Sequence, residues 1–209
     1  MALFDSAMLT LLLWDGARPP LHPDTGVSVT NCKERIAHLV SSLHKSKQRI
    51  LIPTPVLSEV LVVSGGSGLK YLEIIHRSPV FRVVPFDTLA AVELAELNRA
   101  ALQAGDKKGG VDSPWQKIKL DRQILSCGRV VGAKTLYTDD CQLATFASRL
   151  GMNVVRVHEL PLPDSTKQLD MLESLHARAA EEEAHFDDEQ PDDAQITDIE
   201  VTETDNEPG

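Results

Sequence analysis

Short runs of aliphatic and β-branched residues alternate along this chain with longer stretches in which apolar positions recur every three or four residues. The short runs read as buried strands and the longer ones as amphipathic helices. Residues 2–4 are a short strand, followed by an apolar helix to Trp14. Residues 15–28 hold Gly16, Pro19, Pro20, Pro23 and Gly26 and form a long loop. A helix over 29–47 buries Ile36, Leu39, Val40 and Leu43, and residues 49–52 are the next strand. Thr54 is placed to cap a third helix with Pro55 at its first position. That helix is apolar nearly all round and is predicted to be buried, with Glu59 as the exception that then needs a cation, a basic partner or a raised pKa. The cluster 64–68 ends it. A fourth helix (69–76), a strand (80–84), a helix over 88–104 capped by Asp87, a basic loop (105–110), a helix (115–131), a strand (134–138), a further helix and a fifth strand (153–157) follow. Strands alternating with helices predict an α/β fold with a mostly parallel sheet of about five strands and helices on both faces.

Certain acids interrupt this pattern. In the helix over 115–131, Ile118, Asp121, Ile124, Leu125, Gly128, Val131 and Gly132 share one face. A carboxylate in that face costs several kcal/mol, in rough terms, unless a cation or donors meet it. Asp5, Asp139 and Asp140 stand directly after strands, where open α/β sheets bind ligands. Asp5 also reads as a helix N-cap, and for these acids as a group structural caps and ion pairs are the alternative.

Charge divides the 209 residues unevenly. Residues 163–209 carry 16 Asp and Glu against Lys167 and Arg178, whereas residues 1–162 carry 19 Lys and Arg against 15 acids. The division predicts a mildly basic domain over 1–160, suited to a polyanionic partner, and a disordered acidic tail over 161–209. That tail is read either as a solubilising extension or as a competitor of the polyanionic partner for the basic residues. Three cysteines without zinc-like spacing read as free thiols of a cytoplasmic protein. The apolar run 7–14 is too short for a membrane span, and no signal peptide is indicated. The glycine cluster 64–68 lacks the strand–loop–helix context of a phosphate loop, and no histidine supports Ser-His-Asp catalysis.

Asp5, Glu59, Asp121 and Asp139 or Asp140 together lack obvious basic partners. Hard divalent cations resolve such an arrangement: Mg²⁺ or Mn²⁺ prefers carboxylate and water oxygens, and such ions support phosphodiester hydrolysis.

The order FDSAML with Asp5, IPTPVLSEVLV with Glu59, and KLDRQILSCGRVVGAKTLYTDD with Asp121 and the terminal Asp pair resembles the PIN-domain nucleases over residues 1 to about 158. The resemblance implies a three-layer α/β/α fold with a parallel sheet of about five strands. It also implies an acidic site and endonuclease activity on RNA that depends on Mg²⁺ or Mn²⁺, in many members as the toxin of a toxin–antitoxin pair. Carried over by residue, Asp5, Glu59 and Asp121 match the first three metal carboxylates. Thr138-Asp139-Asp140 matches the Thr-x-Asp ending, which makes Asp140 the fourth acid and Asp139 the fallback, with Thr138 fixing the loop. Where the family has Asn or Ser two residues after the first acid, this chain has Ala7, and Ser6 next to it is the substitute.

RNA would be gripped by Lys107, Lys108, Lys117, Lys119 and Arg122, with Trp115 as a stacking face; solvated lysines and a core-edge tryptophan are the alternatives. An antitoxin-like protein or another protein is the implied partner, and a homodimer is left open. The competing functions are a catalytically weak PIN-like scaffold that binds RNA or protein, for which Ala7 is the hint, and a phosphotransfer domain. The latter needs a second acid near Asp5, where Ser6 and Ala7 stand instead.

Overall fold

The computed structural model describes residues 1–164; the expectations for the acidic tail fall beyond them. Five parallel strands form one sheet in the order β3-β2-β1-β4-β5. They are β1 (Ala2–Phe4), β2 (Ile50–Pro53), β3 (Phe81–Val84), β4 (Thr135–Tyr137) and β5 (Asn153–Val155). The helices are α1 (Ser6–Leu13), α2 (Cys32–Lys45), α3 (Thr54–Ser64), α4 (Gly68–Arg77), α5 (Thr88–Gln103), α6 (Trp115–Val130) and α7 (Cys141–Arg149). The α/β fold with about five parallel strands is the arrangement expected from the alternating pattern.

β1 is central, and Leu3, Phe4, Leu51, Ile52 and Leu136 on it and its two neighbours are wholly buried. Strands covered on both faces read as unbroken apolar runs, which is why these three residues of β1 could be recognised at all. The edge strands carry exposed polar residues, Arg82 on β3 and Asn153 on β5, which discourages further strand pairing. Right-handed crossovers put α1–α4 on one face and α5–α7 on the other. Most packing pairs follow that division, α1 with α2 and α3, α3 with α4, α5 with α6, and α6 with α7, while α3 and α6 meet across it. Successive strands are laid down outward from β1 through β2 to β3 on one side and from β4 to β5 on the other, so the crevice beyond the carboxyl ends of β1 and β4 is the topological switch point.

The depth of α6 is set by Gly128. A Cβ there would stand 2.6 Å from Leu3 Cδ2, so only glycine lets the helix lie this close to β1. Asp121, two turns earlier on the same face, is thereby held deep. Gly132, at φ +73°, then ends the helix: its N–H donates to Arg129 O and that of Ala133 to Gly128 O, both at 2.9 Å. This pair of hydrogen bonds to the last turn is the glycine-terminated helix stop that aims the chain into β4.

Two local expectations are corrected. Thr54 does not cap α3; its Oγ1 accepts the N–H of Phe86 at 3.0 Å and ties β2 to the end of β3. Nor is α3 buried: Val56 and Val60 face the core, while Val62 is 78% and Val63 54% exposed. The apolar circumference reflects an uncovered face and not an internal helix. The long loop after α1 is ordered by an antiparallel bridge between Leu21 and Ser28. Leu160 and Leu162 are buried, and Arg35 on α2 donates to Leu160 O. Among the described residues no helix is long and apolar enough to cross a membrane.

Candidate active site

Asp5 and Asp140 are N-caps, yet each keeps an oxygen for something else. Asp5 Oδ1 accepts the N–H of Met8 at 2.8 Å at the start of α1, and its Oδ2 accepts the hydroxyl hydrogen of Thr138. Asp140 Oδ1 accepts the N–H groups of Gln142 (2.8 Å) and Leu143 (3.0 Å) at the start of α7, and its Oδ2 accepts from Lys117 Nζ. Capping and a site at the sheet end are therefore one arrangement. Two helix N-termini, whose dipoles favour negative charge, hold these carboxylates at the end of adjacent strands.

Thr138, with no exposed surface, joins the two. While its hydroxyl donates to Asp5, the same oxygen accepts the N–H of Asp140 at 3.0 Å. Asp139, next to it, turns away: both its oxygens lie 3.4 Å from the Val157 nitrogen, with the charge of Arg156 nearby.

Asp5 and Asp140, which cap α1 and α7, and Glu59 and Asp121, from α3 and α6, line one cleft of about 330 Å³ together with Ser6 and Lys117. Asp139 does not line it. A second cleft, of about 690 Å³, shares Ser6 and Glu59 and continues past Asp139 and Arg18 to the apolar side chains of Trp14, Val62 and Val63.

Electrostatically the smaller cleft is short of positive charge. Burial, opposed by the Thr138 and Met8 hydrogen bonds and reinforced by Asp139 and Asp140, raises Asp5 to about 7. Burial also raises Asp121 to about 6; Lys117 pulls it down, while Asp140 and Glu59 push it up. Asp140 is the exception, held below the usual range although burial opposes this, by Lys117 and the two cap N–H groups. Asp121 Oδ2 is buried with no hydrogen-bond partner.

These features fit a divalent cation: an orphaned buried carboxylate oxygen and two carboxyls that resist ionising are what a hard cation would relieve. No three His, Cys, Asp or Glu side chains among the described residues are grouped closely enough to hold an ion as they stand. What lies among the acids instead is the Lys117 ammonium, on Asp140 Oδ2 and 3.8 Å from Asp121 Oδ1.

Lys117 was expected to face RNA, and this role at the acids was missed. The signal was present in its spacing, four residues ahead of Asp121 on one helix face. Arg122 is corrected outright. It is 5% exposed, donates to Asn98 Oδ1 and Lys107 O, both at 2.8 Å, and lies 5.6 Å from the Trp115 ring and 5.5 Å from that of Phe146. It braces the 105–110 loop against α5 and α6 and is not free to meet a phosphate. Trp115 is half-buried, packed on the core, with Lys107 Nζ 4.5 Å from its ring; the core-edge alternative describes it. Lys107, Lys108 and Lys119 are exposed. Cys32 and Cys127 are buried free thiols and Cys141 is exposed.

No family model matches the chain, and no curated protein matches it. Among solved structures it is similar to VapBC2 from Rickettsia felis bound to a DNA fragment from their promoter, at 16% identity and TM-score 0.49, over 74% of this chain and 97% of that one. DNA-bound VapBC from Salmonella typhimurium matches at 15% identity and TM-score 0.47, over 75% and 97% of the two chains. Mycobacterium tuberculosis VapC20, described as a Sarcin-Ricin loop cleaving toxin, matches at 16% identity and TM-score 0.46, over 77% and 100%.

Proposed function

We propose that the chain is a divalent-metal-dependent endoribonuclease of the PIN type, with Asp5, Glu59, Asp121 and Asp140 as its acidic centre. The observation that carries this reading is the single cleft into which four elements deliver these carboxylates, with Asp121 Oδ2 buried and unpartnered. A bound Mg²⁺ or Mn²⁺ would supply an activated water and the charge that offsets a phosphodiester in hydrolysis. The residues prepare for this in distinct ways. Asp121, deep in α6, and Asp140 Oδ2, at the α7 N-terminus, offer oxygens not consumed by backbone N–H groups. Thr138 sets the orientation of the Asp5 carboxyl and, through Asp140 N, that of the strand-end loop. Glu59 stands at the junction of the two clefts, where its charge reaches Asp121.

Asp139 is not given a metal role in this reading, because its oxygens serve Val157. Exposed Lys107, Lys108 and Lys119 remain the bases for RNA. Exposed Val62 and Val63, with Trp14 beside them in the larger cleft, support a protein partner, and the motif resemblance makes an antitoxin-like protein the first choice. The test is incubation of the purified full chain with a labelled single-stranded RNA and Mg²⁺ or Mn²⁺. Internal cleavage that stops on chelation and returns on adding metal back is expected; binding without cleavage would favour the scaffold reading instead.

A further inference from the structure

The ammonium of Lys117 is placed where a cation shared by Asp121 and Asp140 would have to be. On Asp140 only Oδ2 is left over, since Oδ1 is committed to two N–H groups of α7, and Lys117 Nζ sits on that Oδ2. On Asp121, Nζ lies 3.8 Å from Oδ1, while Oδ2 has no partner. Lys117 therefore spans the two carboxylates that come from different helices. Its side chain is 40% exposed, on a flexible four-carbon stem, so it can leave toward solvent by rotamer changes alone.

We infer that Lys117 is a resident counter-ion of the acidic cleft, which a divalent cation must displace before it engages Asp121 and Asp140 together. The inference rests on the metal-centre reading above and adds a gate to it. An ammonium and a divalent ion that both sit on Asp140 Oδ2 and beside the Asp121 carboxylate repel one another, so the two states exclude each other. Without metal, Lys117 offsets the mutual repulsion of Asp121 and Asp140. With metal, the freed ammonium stands at the mouth of the cleft, where the polyanionic substrate arrives. Metal affinity is then lowered by whatever the ion pair contributes, and a metal-free protein is kept folded with its acids paired.

Titration calorimetry of Mn²⁺ into the full chain at fixed ionic strength tests this, with Asp121→Asn defining which binding belongs to the cleft and which to other acids of the chain. Lys117→Met should bind Mn²⁺ at the cleft about three- to tenfold tighter than wild type, the size expected for releasing one partly exposed ion pair. Lys117→Arg, which keeps the competing charge, should stay within about twofold of wild type, and so should Lys119→Met, which removes the same charge from an exposed position on α6. Lys117→Gln serves as the second neutral variant should Lys117→Met not fold. Equal or weaker Mn²⁺ binding by the neutral variants overturns the inference while leaving the metal centre in place. A wild type whose Mn²⁺ binding is untouched by Asp121→Asn removes the metal centre and the gate with it.

Discussion

Thr138 donates its hydroxyl hydrogen to Asp5 Oδ2 between two adjacent parallel strands, and its oxygen accepts the N–H of Asp140 in return. One buried hydroxyl thus fixes both strand-end acids. Thr138→Val keeps the shape and removes both bonds, leaving a buried N–H and a carboxyl oxygen unpaired. It should cost about 2–3 kcal/mol in urea unfolding, whereas Thr138→Ser should recover most of this. A loss below about 0.5 kcal/mol for the valine variant would show that water replaces the hydroxyl and that the link is not structural.

The acids also set a pH dependence. Asp5 and Asp121 have folded-state values of about 7 and about 6, above the roughly 3.9 of an unfolded aspartate. Between those limits the folded chain binds more protons than the unfolded one, so metal-free stability should fall as pH rises from about 4 to about 7 and level off above. The slope reaches at most about 1.4 kcal/mol per pH unit for each group. Asp140, which is lowered, acts in the opposite direction, with its stabilisation lost only as pH falls below the unfolded value. Urea midpoints across this range for wild type and Asp5→Asn should converge at pH 4 and separate by pH 7, with the variant the more stable; parallel curves would contradict the raised value. Mg²⁺ or Mn²⁺ should flatten the wild-type curve.

Much of this was legible from the residues alone because the decisive signals were local. Buried parallel strands write themselves as apolar runs, and a charged residue in an apolar helix face, Asp121 above all, is visible without knowing what it meets. What was not legible depended on partners distant in sequence. Arg122 looked like a base for RNA because nothing in its neighbourhood shows that Asn98 and Lys107 O take its guanidinium. Thr54 reads as a cap because the donor it accepts from, the N–H of Phe86, lies 32 residues away. The exposed side of α3 could not be told from a buried one, since valines carry no record of whether anything covers them.

For Arg122 the structure makes its own prediction. Arg122→Met leaves Asn98 Oδ1 and Lys107 O without their donors and removes the cation from the Trp115 and Phe146 rings. The variant should lose about 2–3 kcal/mol of stability, while the salt dependence of RNA binding keeps the wild-type slope. A slope reduced by about one, with stability unchanged, would return Arg122 to the RNA interface.

If Asp121 is kept in an unfavourable place for the sake of a metal, neutralising it separates activity from stability. Comparison of wild type with Asp121→Asn tests it in two readouts on one preparation. The variant should lose Mg²⁺- or Mn²⁺-dependent RNA cleavage by about a hundredfold or more, a loss of roughly 3 kcal/mol in transition-state stabilisation. The metal-free variant should be as stable as wild type at pH 7 or more so, because a buried carboxylate with an unpartnered oxygen has been made neutral. Cleavage retained at the wild-type rate, or unaffected by a chelator, would contradict the account.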